Sequence, residues 1–350
     1  MGKVSLITPV FNVSENLLDR CAKSVLGQYD VDWEWLLIDD GSESDCAEYL
    51  DALTKHDCRI RVFHQKNRGP AQARNQGLLH ASGTYVVFLD SDDALTEGCL
   101  AQGIRVMETH PQVDIVIGQA QYLRDGVRRM SHSVCVLQEP LTLPESEKDG
   151  LLREMWIGCG LEKYPNVTGR LSAELWGKMY RRDKMQDVAF SRELYNGEDQ
   201  IFLFDFLRYA REAVIVPEIW YLYTYRDDSV QHMVSAHRVE KYGAYLREIR
   251  RCCESMGNSH DASRLCDVKI ATSVMDCLKP YMAEQNFFKA CKQTYKVLRA
   301  PALREQCKQL CVFSGWSVKQ MSKILICRYA LTLMATAALY PKEKKRENGG

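Results

Sequence analysis

Residues 84–95 read TYVVFLDSDDAL. Five mostly apolar residues, Tyr85 to Leu89, run straight into three acids within four positions, Asp90, Asp92 and Asp93. The first part has the composition of a short buried strand. Ending such a strand in clustered negative charge is costly unless something cationic neutralises it. The stretch therefore predicts a strand inside an α/β sheet and a charged site at that strand's carboxyl end.

The segments before it keep the same rhythm. KVSLITPV, WEWLLIDD and RIRVFHQ read as strands, as does VDIVIGQ after it. Between them, SENLLDRCAKSVLGQ places Leu17, Leu18, Cys21, Ala22, Val25 and Leu26 on one helical face. DCAEYLDALTKH and EGCLAQGIRVMETH read as further helices. GPAQARNQGLLHAS starts with Pro70 in its first turn and stops at Ser82-Gly83. Short apolar strands alternating with helices imply a largely parallel sheet covered on both faces. Ligands of such sheets sit at the carboxyl ends of the strands. Asp39-Asp40 and Asp90-Ser91-Asp92-Asp93 both fall at such ends, so both can face one crevice.

The rhythm is lost over residues 121–230, where EDQIFLFDFLRYARE suggests a helix, and the chain reads as helical from about 236 onward. With 350 residues, 46% hydrophobic and 26% charged, the chain is globular and long enough for two domains. A net charge of zero argues against broad nucleic-acid binding. Fourteen cysteines include no CxxC, which argues against zinc and for reduced, mostly buried thiols. MGKVSLITPVFN has neither a signal-peptide core nor a Ser or Thr at position 6 for myristoylation, so a cytoplasmic location is expected. The sequon at Asn166 is then a chance match.

Asp90 and Asp92 form a D-x-D pair of hard oxygen donors, the kind that holds Mg²⁺ or Mn²⁺ against a substrate diphosphate. Turn-forming and helix-capping roles account for the same residue types. No GxxxxGK[ST] occurs, and no GxGxxG follows the first strand. That weighs against P-loop NTPases and dinucleotide oxidoreductases.

VSLITPVFN, LLIDDGS, NRGPAQARNQGL, ASGTYVVFLDSDD and NGEDQIF occur in this order and spacing. Together they resemble the inverting family 2 glycosyltransferases of bacterial polysaccharide assembly, over roughly residues 3–230. The resemblance implies a GT-A nucleotide-diphospho-sugar transferase fold, a mostly parallel sheet flanked by helices, with a helical C-terminal extension. It divides the chain into a nucleotide-sugar-binding half (1–120), an acceptor-side half (121–232) and a helical region (233–350). It implies nucleotide contacts from Pro9, Phe11, Asp39 and Asp40, with Asp40 accepting the uracil N3 proton. Arg74 would face the diphosphate, Asp92 would be the direct metal ligand, and Asp90, beside Ser91, would touch the sugar or ribose or reach the metal through water. Glu198-Asp199 would supply the general base, Asp199, although the same pair also suits a helix start. Trp176, Lys178 and Arg226 would line the donor or acceptor site, and His232 would add a metal or phosphate contact. Packed aromatics and solvated cations explain these last four equally well.

The implied donor is a UDP-sugar, and the acceptor a carbohydrate or lipid-linked glycan. The segment 318–346 mixes apolar residues with Lys319, Lys323 and Arg328 and ends in KEKKR. Its uninterrupted apolar part, Tyr329 to Tyr340, is about 12 residues, where a spanning helix needs about 20. It can lie on the anionic cytoplasmic face of a membrane, and a packing helix with a solvated tail fits as well. Two other functions compete. A sugar-phosphate nucleotidyltransferase would release pyrophosphate instead of UDP, but TPVFNVSEN lacks its glycine- and lysine-rich first loop. An inactive nucleotide-sugar-binding module would have no use for Asp92 and Asp199.

Overall fold

The computed structural model describes residues 2–124, 127–129, 137–157, 161, 164, 171, 173–194, 197–225, 238–257, 260–283, 287–311 and 318–329. Arg226, His232, the Asn166 sequon and everything after Tyr329 lie outside these residues. The chain divides into two compact units, Met1–Arg192 with Glu198–Arg226, and Glu193–Gly197 with Asp227–Gly350.

The first unit carries the strands β1 (Val4–Val10), β2 (Trp33–Asp39), β3 (Ile60–His64), β4 (Tyr85–Phe88), β5 (Ala94–Leu95), β6 (Val113–Arg124), β7 (Val127–Arg129), β8 (Leu141–Leu143), β9 (Lys178–Arg181) and β10 (Glu212–Thr224). Its helices are α1 (Glu15–Leu26), α2 (Ser44–Thr54), α3 (Pro70–His80), α4 (Cys99–Thr109), α5 (Lys148–Ile157) and α6 (Glu198–Tyr209). The sheet runs β3-β2-β1-β4-β9-β6-β10-β5, with β7 on β6 and β8 on β10. The β3-β2-β1-β4 half is parallel throughout, as expected where a helix returns the chain between strands. β9 enters antiparallel between β4 and β6. No crossover helix fixes its direction, so the periodicity of the sequence did not announce it.

Register places the site. Val10 lies opposite Asp39, and Ile7 opposite Phe88. Asp39-Asp40 and the acids from Asp90 onward therefore leave the same edge of the sheet, on either side of β1. α3 lies close on this sheet because Gly77 has no side chain: a Cβ there would stand 2.3 Å from Ile7 Cγ2. β10 is longer than an average strand and shifts register between Ile215 and Ile219, where Pro217 has no N–H to give the ladder.

The second unit is helical: α7 (Arg238–Ser255), α8 (His260–Leu278), α9 (Pro280–Ala283), α10 (Phe287–Arg299), α11 (Pro301–Lys308) and α12 (Val318–Tyr329). α7 packs on α8 and α11, and α8 on α12, around buried Leu246, Ile249, Ile270, Val274 and Leu303. No helix of the described residues is long and apolar enough to cross a membrane.

Candidate active site

The turn after β4 is held by residues far away in the chain. Asp93 is buried, and its Oδ2 accepts from the Tyr221 hydroxyl (2.6 Å) while Oδ1 accepts from Thr224 N–H (2.6 Å). Burial, with the charges of Asp90 and Asp92, pushes the Asp93 carboxyl well above the usual range against those two bonds. Tyr221 also accepts from Asp90 N–H (3.2 Å) and stacks on Trp176 with ring centroids 4.7 Å apart. The Asp92 carbonyl accepts from Thr224 Oγ1 (2.6 Å) and Arg20 Nη2 (2.5 Å). These bonds fix the backbone of the D-x-D turn and leave the Asp90 and Asp92 side chains only partly buried.

The cation demanded by the buried strand's acidic end comes from α3. Arg74 Nη2 donates to Asp90 Oδ1 (3.0 Å), and Nη1 donates to Asp199 Oδ1 (3.0 Å) and Glu198 Oε1 (3.2 Å). Arg74 is 5% exposed. Burial works against its charge, but Asp199, Asp90 and Glu198 outweigh that and hold the guanidinium firmly protonated. Asp199 is pushed well above the ordinary carboxyl range, first by burial and then by Glu198, Glu174 and Asp90, while Arg74 pulls it back. One guanidinium thus joins the end of β4 to the start of α6.

The neighbour of Arg74 secures this arrangement. Asn75 Nδ2 donates to Phe190 O (2.9 Å), and Phe190 N–H donates to Asn75 Oδ1 (2.9 Å). The Phe190 ring stacks on Phe202 of α6 with centroids 4.1 Å apart. α3 and α6 are therefore tied through Phe190.

On the other side of β1, Asp39 Oδ1 accepts from Ser42 N–H (2.9 Å), and its Oδ2 contacts His64 Nδ1 (2.7 Å). Burial would raise the Asp39 carboxyl, but Ser42 and His64 hold it below its ordinary value. Asp40 accepts from Gln65 Nε2 (2.7 Å), Arg68 N–H (2.8 Å) and Gly69 N–H (2.7 Å), which shapes the entry to α3. The β1 loop closes on the β2 loop: Asn12 N–H donates to Ser42 Oγ (3.0 Å), and Glu43 N–H to Asn12 Oδ1 (2.8 Å). Beside this clasp Phe11 stands 50% exposed, with Pro9 partly buried.

Of the expected site residues, Lys178, Trp176, Arg74, Asp40 and Ser91 are buried. Lys178 does not line an open site. It is buried in β9, and its ammonium donates to the carbonyls of Glu174 (2.6 Å) and Trp176 (3.5 Å). Burial lowers its pKa to about 8, against the pull of Glu174 and Asp199. Trp176 is packed against Tyr221. The Arg74 guanidinium is engaged by three carboxylates. Asp40 was expected to meet a base, and three of its acceptor positions are already filled by its own loop.

Among the described residues no group of three or more His, Cys, Asp or Glu side chains is gathered as a metal-ligand set. Mg²⁺ and Mn²⁺ commonly take one or two carboxylates and complete their shell with water and substrate phosphates. The partly exposed Asp90 and Asp92, held on a rigid turn, fit that smaller donor set. Sequence reasoning missed Arg20, Asn75, Tyr221 and Thr224. The motif ARN could have pointed to Asn75; the other three carry no local signal.

A parallel half, an antiparallel strand between β4 and β6, and acids at the β4 edge define a GT-A type fold. Residues 5–160 match the family described as Glycosyl transferase family 2. It is 30% identical over 229 residues to the uncharacterized glycosyltransferase EpsJ of Bacillus subtilis, covering 65% of this chain and 62% of that protein. It is 27% identical over 317 residues to the GalNAc(5)-diNAcBac-PP-undecaprenol beta-1,3-glucosyltransferase of Campylobacter jejuni, covering 87% of this chain and 92% of that one. The S. aureus TarS 1–349 structure in complex with UDP-GlcNAc superposes with a TM-score of 0.66 at 15% identity, covering 99% of this chain and 92% of that one. At that identity the likeness concerns the fold.

Proposed function

We propose that this chain is an inverting, metal-dependent glycosyltransferase. It moves a sugar from a nucleotide-diphosphate donor, a UDP-sugar, to a hydroxyl of a carbohydrate or lipid-linked glycan in envelope polysaccharide synthesis. The observation that carries the reading is the Arg74 bridge, which brings the D-x-D turn and the Glu198-Asp199 pair within reach of one guanidinium. The UDP-GlcNAc bound by TarS and the undecaprenol-linked acceptor in the name of the Campylobacter relative support the donor and acceptor classes. A nucleotide-sugar donor together with a lipid-linked acceptor fits a reaction at the cytoplasmic face of a membrane.

Asp90 and Asp92 would hold Mg²⁺ or Mn²⁺. Bound there, the ion supplies charge neutralisation for the departing diphosphate. Asp199 takes the proton of the acceptor hydroxyl as that oxygen bonds to the anomeric carbon, and the bond to the diphosphate oxygen breaks on the opposite face. A base works best with a pKa near the working pH. Burial, with Glu198, Glu174 and Asp90, raises the Asp199 carboxyl against the pull of Arg74, the direction that makes a carboxylate a stronger base.

Asp199→Asn is the test. Removing a general base costs about 10²–10⁴-fold in rate, so transfer should fall by that factor while donor binding, followed by calorimetry with UDP, stays within twofold. Unchanged transfer removes Asp199 from the role. Release of pyrophosphate in place of UDP would move the chain to the nucleotidyltransferases.

A further inference from the structure

α10 carries a surface that nothing in the transfer reaction uses. Its sequence, FFKACKQTYKVLR, contains four cations and no acid, although the whole chain has a net charge of zero. Ala290, Thr294, Val297 and Leu298 are buried and form the inner stripe. The outer face presents Phe288 at 82% and Tyr295 at 50% exposure, with Lys289, Lys292, Lys296 and Arg299 exposed beside them. The Arg299 guanidinium lies over the Tyr295 ring at 4.8 Å.

A single exposed Phe needs no explanation. Here two aromatic rings stand seven positions apart, so they emerge from one face about 10 Å apart along the axis. At 3.6 residues per turn the four cations all fall to one side of them around the helix. A helix that lies in the headgroup layer presents aromatics toward the acyl boundary and Lys or Arg toward lipid phosphates in this way. α7 mixes Glu240, Glu248 and Glu254 with its cations. α12 also carries cations without an acid, but its Lys323 and Arg328 are half-buried and bonded to Thr272 Oγ1 and the Leu310 carbonyl, so the exposed cations gather on α10.

We propose that α10 is the chain's contact with an anionic lipid surface. Phe288 and Tyr295 enter the headgroup layer, and the four cations face the phosphates. The proposal deepens the reading of a lipid-linked acceptor by naming the surface that meets the membrane. It assigns this contact to α10 and not to the basic KEKKR tail. Vesicle binding is read without turnover, so it fails or stands apart from the transfer reaction.

The full chain is sedimented with vesicles of phosphatidylcholine alone and with vesicles containing phosphatidylglycerol. Binding is expected only to the anionic vesicles and should weaken as salt rises. Each lost cation should lower the partition about fivefold, so Lys289→Gln/Lys292→Gln/Lys296→Gln should reduce it by about two orders of magnitude. Phe288→Ala/Tyr295→Ala should weaken what binding persists at high salt. Both variants should keep the parent's circular dichroism and its UDP release with a water-soluble acceptor. Three results would overturn the proposal: equal binding to neutral vesicles, loss of binding when Lys342, Lys344, Lys345 and Arg346 are neutralised but not when α10 is, or retention of a single-stranded RNA by α10 without retention of anionic vesicles.

Discussion

Replacing Arg74 by Met keeps most of the side-chain volume and removes the charge that three carboxylates share. The structure sets the magnitude. Asp90, Asp199 and Glu198 lie 3.0, 3.0 and 3.2 Å from its two terminal nitrogens, and the residue is 5% exposed. Removing one partner of a buried ion pair typically costs about 3–5 kcal/mol, because the remaining charges stay uncompensated. Arg74→Met should therefore lower stability at neutral pH by about that amount. Part of the loss must be recoverable by removing a carboxylate: Arg74→Met/Asp199→Asn should deviate from additivity by about 1–3 kcal/mol toward greater stability. Urea unfolding followed by tryptophan fluorescence reports mainly on the right unit, since five of the six tryptophans, Trp33, Trp35, Trp156, Trp176 and Trp220, belong to it. If Arg74→Met unfolds within about 0.5 kcal/mol of the parent, the range of an ordinary surface substitution, the bridge does not hold the site together. Strict additivity in the double variant would refute the coupling in the same way.

Other outcomes follow from single contacts. Glu34 is buried where Ser5 Oγ (2.6 Å) and Ser82 N–H (2.7 Å) donate to it, with Lys3 3.4 Å away. Burial would raise its carboxyl, but these partners bring it down to about 2 from 4.5. Its contribution is complete well above pH 4.5 and is lost as pH falls toward 2, so unfolding free energies from urea at pH 3 and pH 7 should differ less in Glu34→Gln than in the parent, by about 2 kcal/mol. Gly77→Ala should cost about 1–3 kcal/mol, because the new methyl would meet Ile7 Cγ2 at 2.3 Å; an unchanged melting temperature would show that α3 has room to move. Chelation with EDTA should abolish UDP release, Mn²⁺ or Mg²⁺ should restore it, and Asp92→Asn should need far more metal for the same rate; full activity after chelation would remove the metal from the reaction.

Much of the first unit was legible in the chain. β1 to β4 and α1 to α4 fall where apolar runs and helical spacing place them, since each pattern is written in neighbouring residues. The later part was harder. β9 is four residues of KMYR with no alternation to mark it, and β10 bends around Pro217. Lys178 shows the limit for single side chains: its position in WGKMY says nothing about whether its ammonium meets solvent or the carbonyls of Glu174 and Trp176.

By itself, the sequence determined the α/β class, the edge of the sheet where charge collects, and the acids that gather there, because strand period and composition are local properties. Only the tertiary structure decided what balances that charge. Arg74 reaches Asp199 across 125 positions, and Tyr221 reaches Asp93 across 128. Partners so far apart are chosen by how the sheet orders its strands and by the ties from α3 to α6 through Arg74 and Phe190, which no stretch of neighbouring residues encodes.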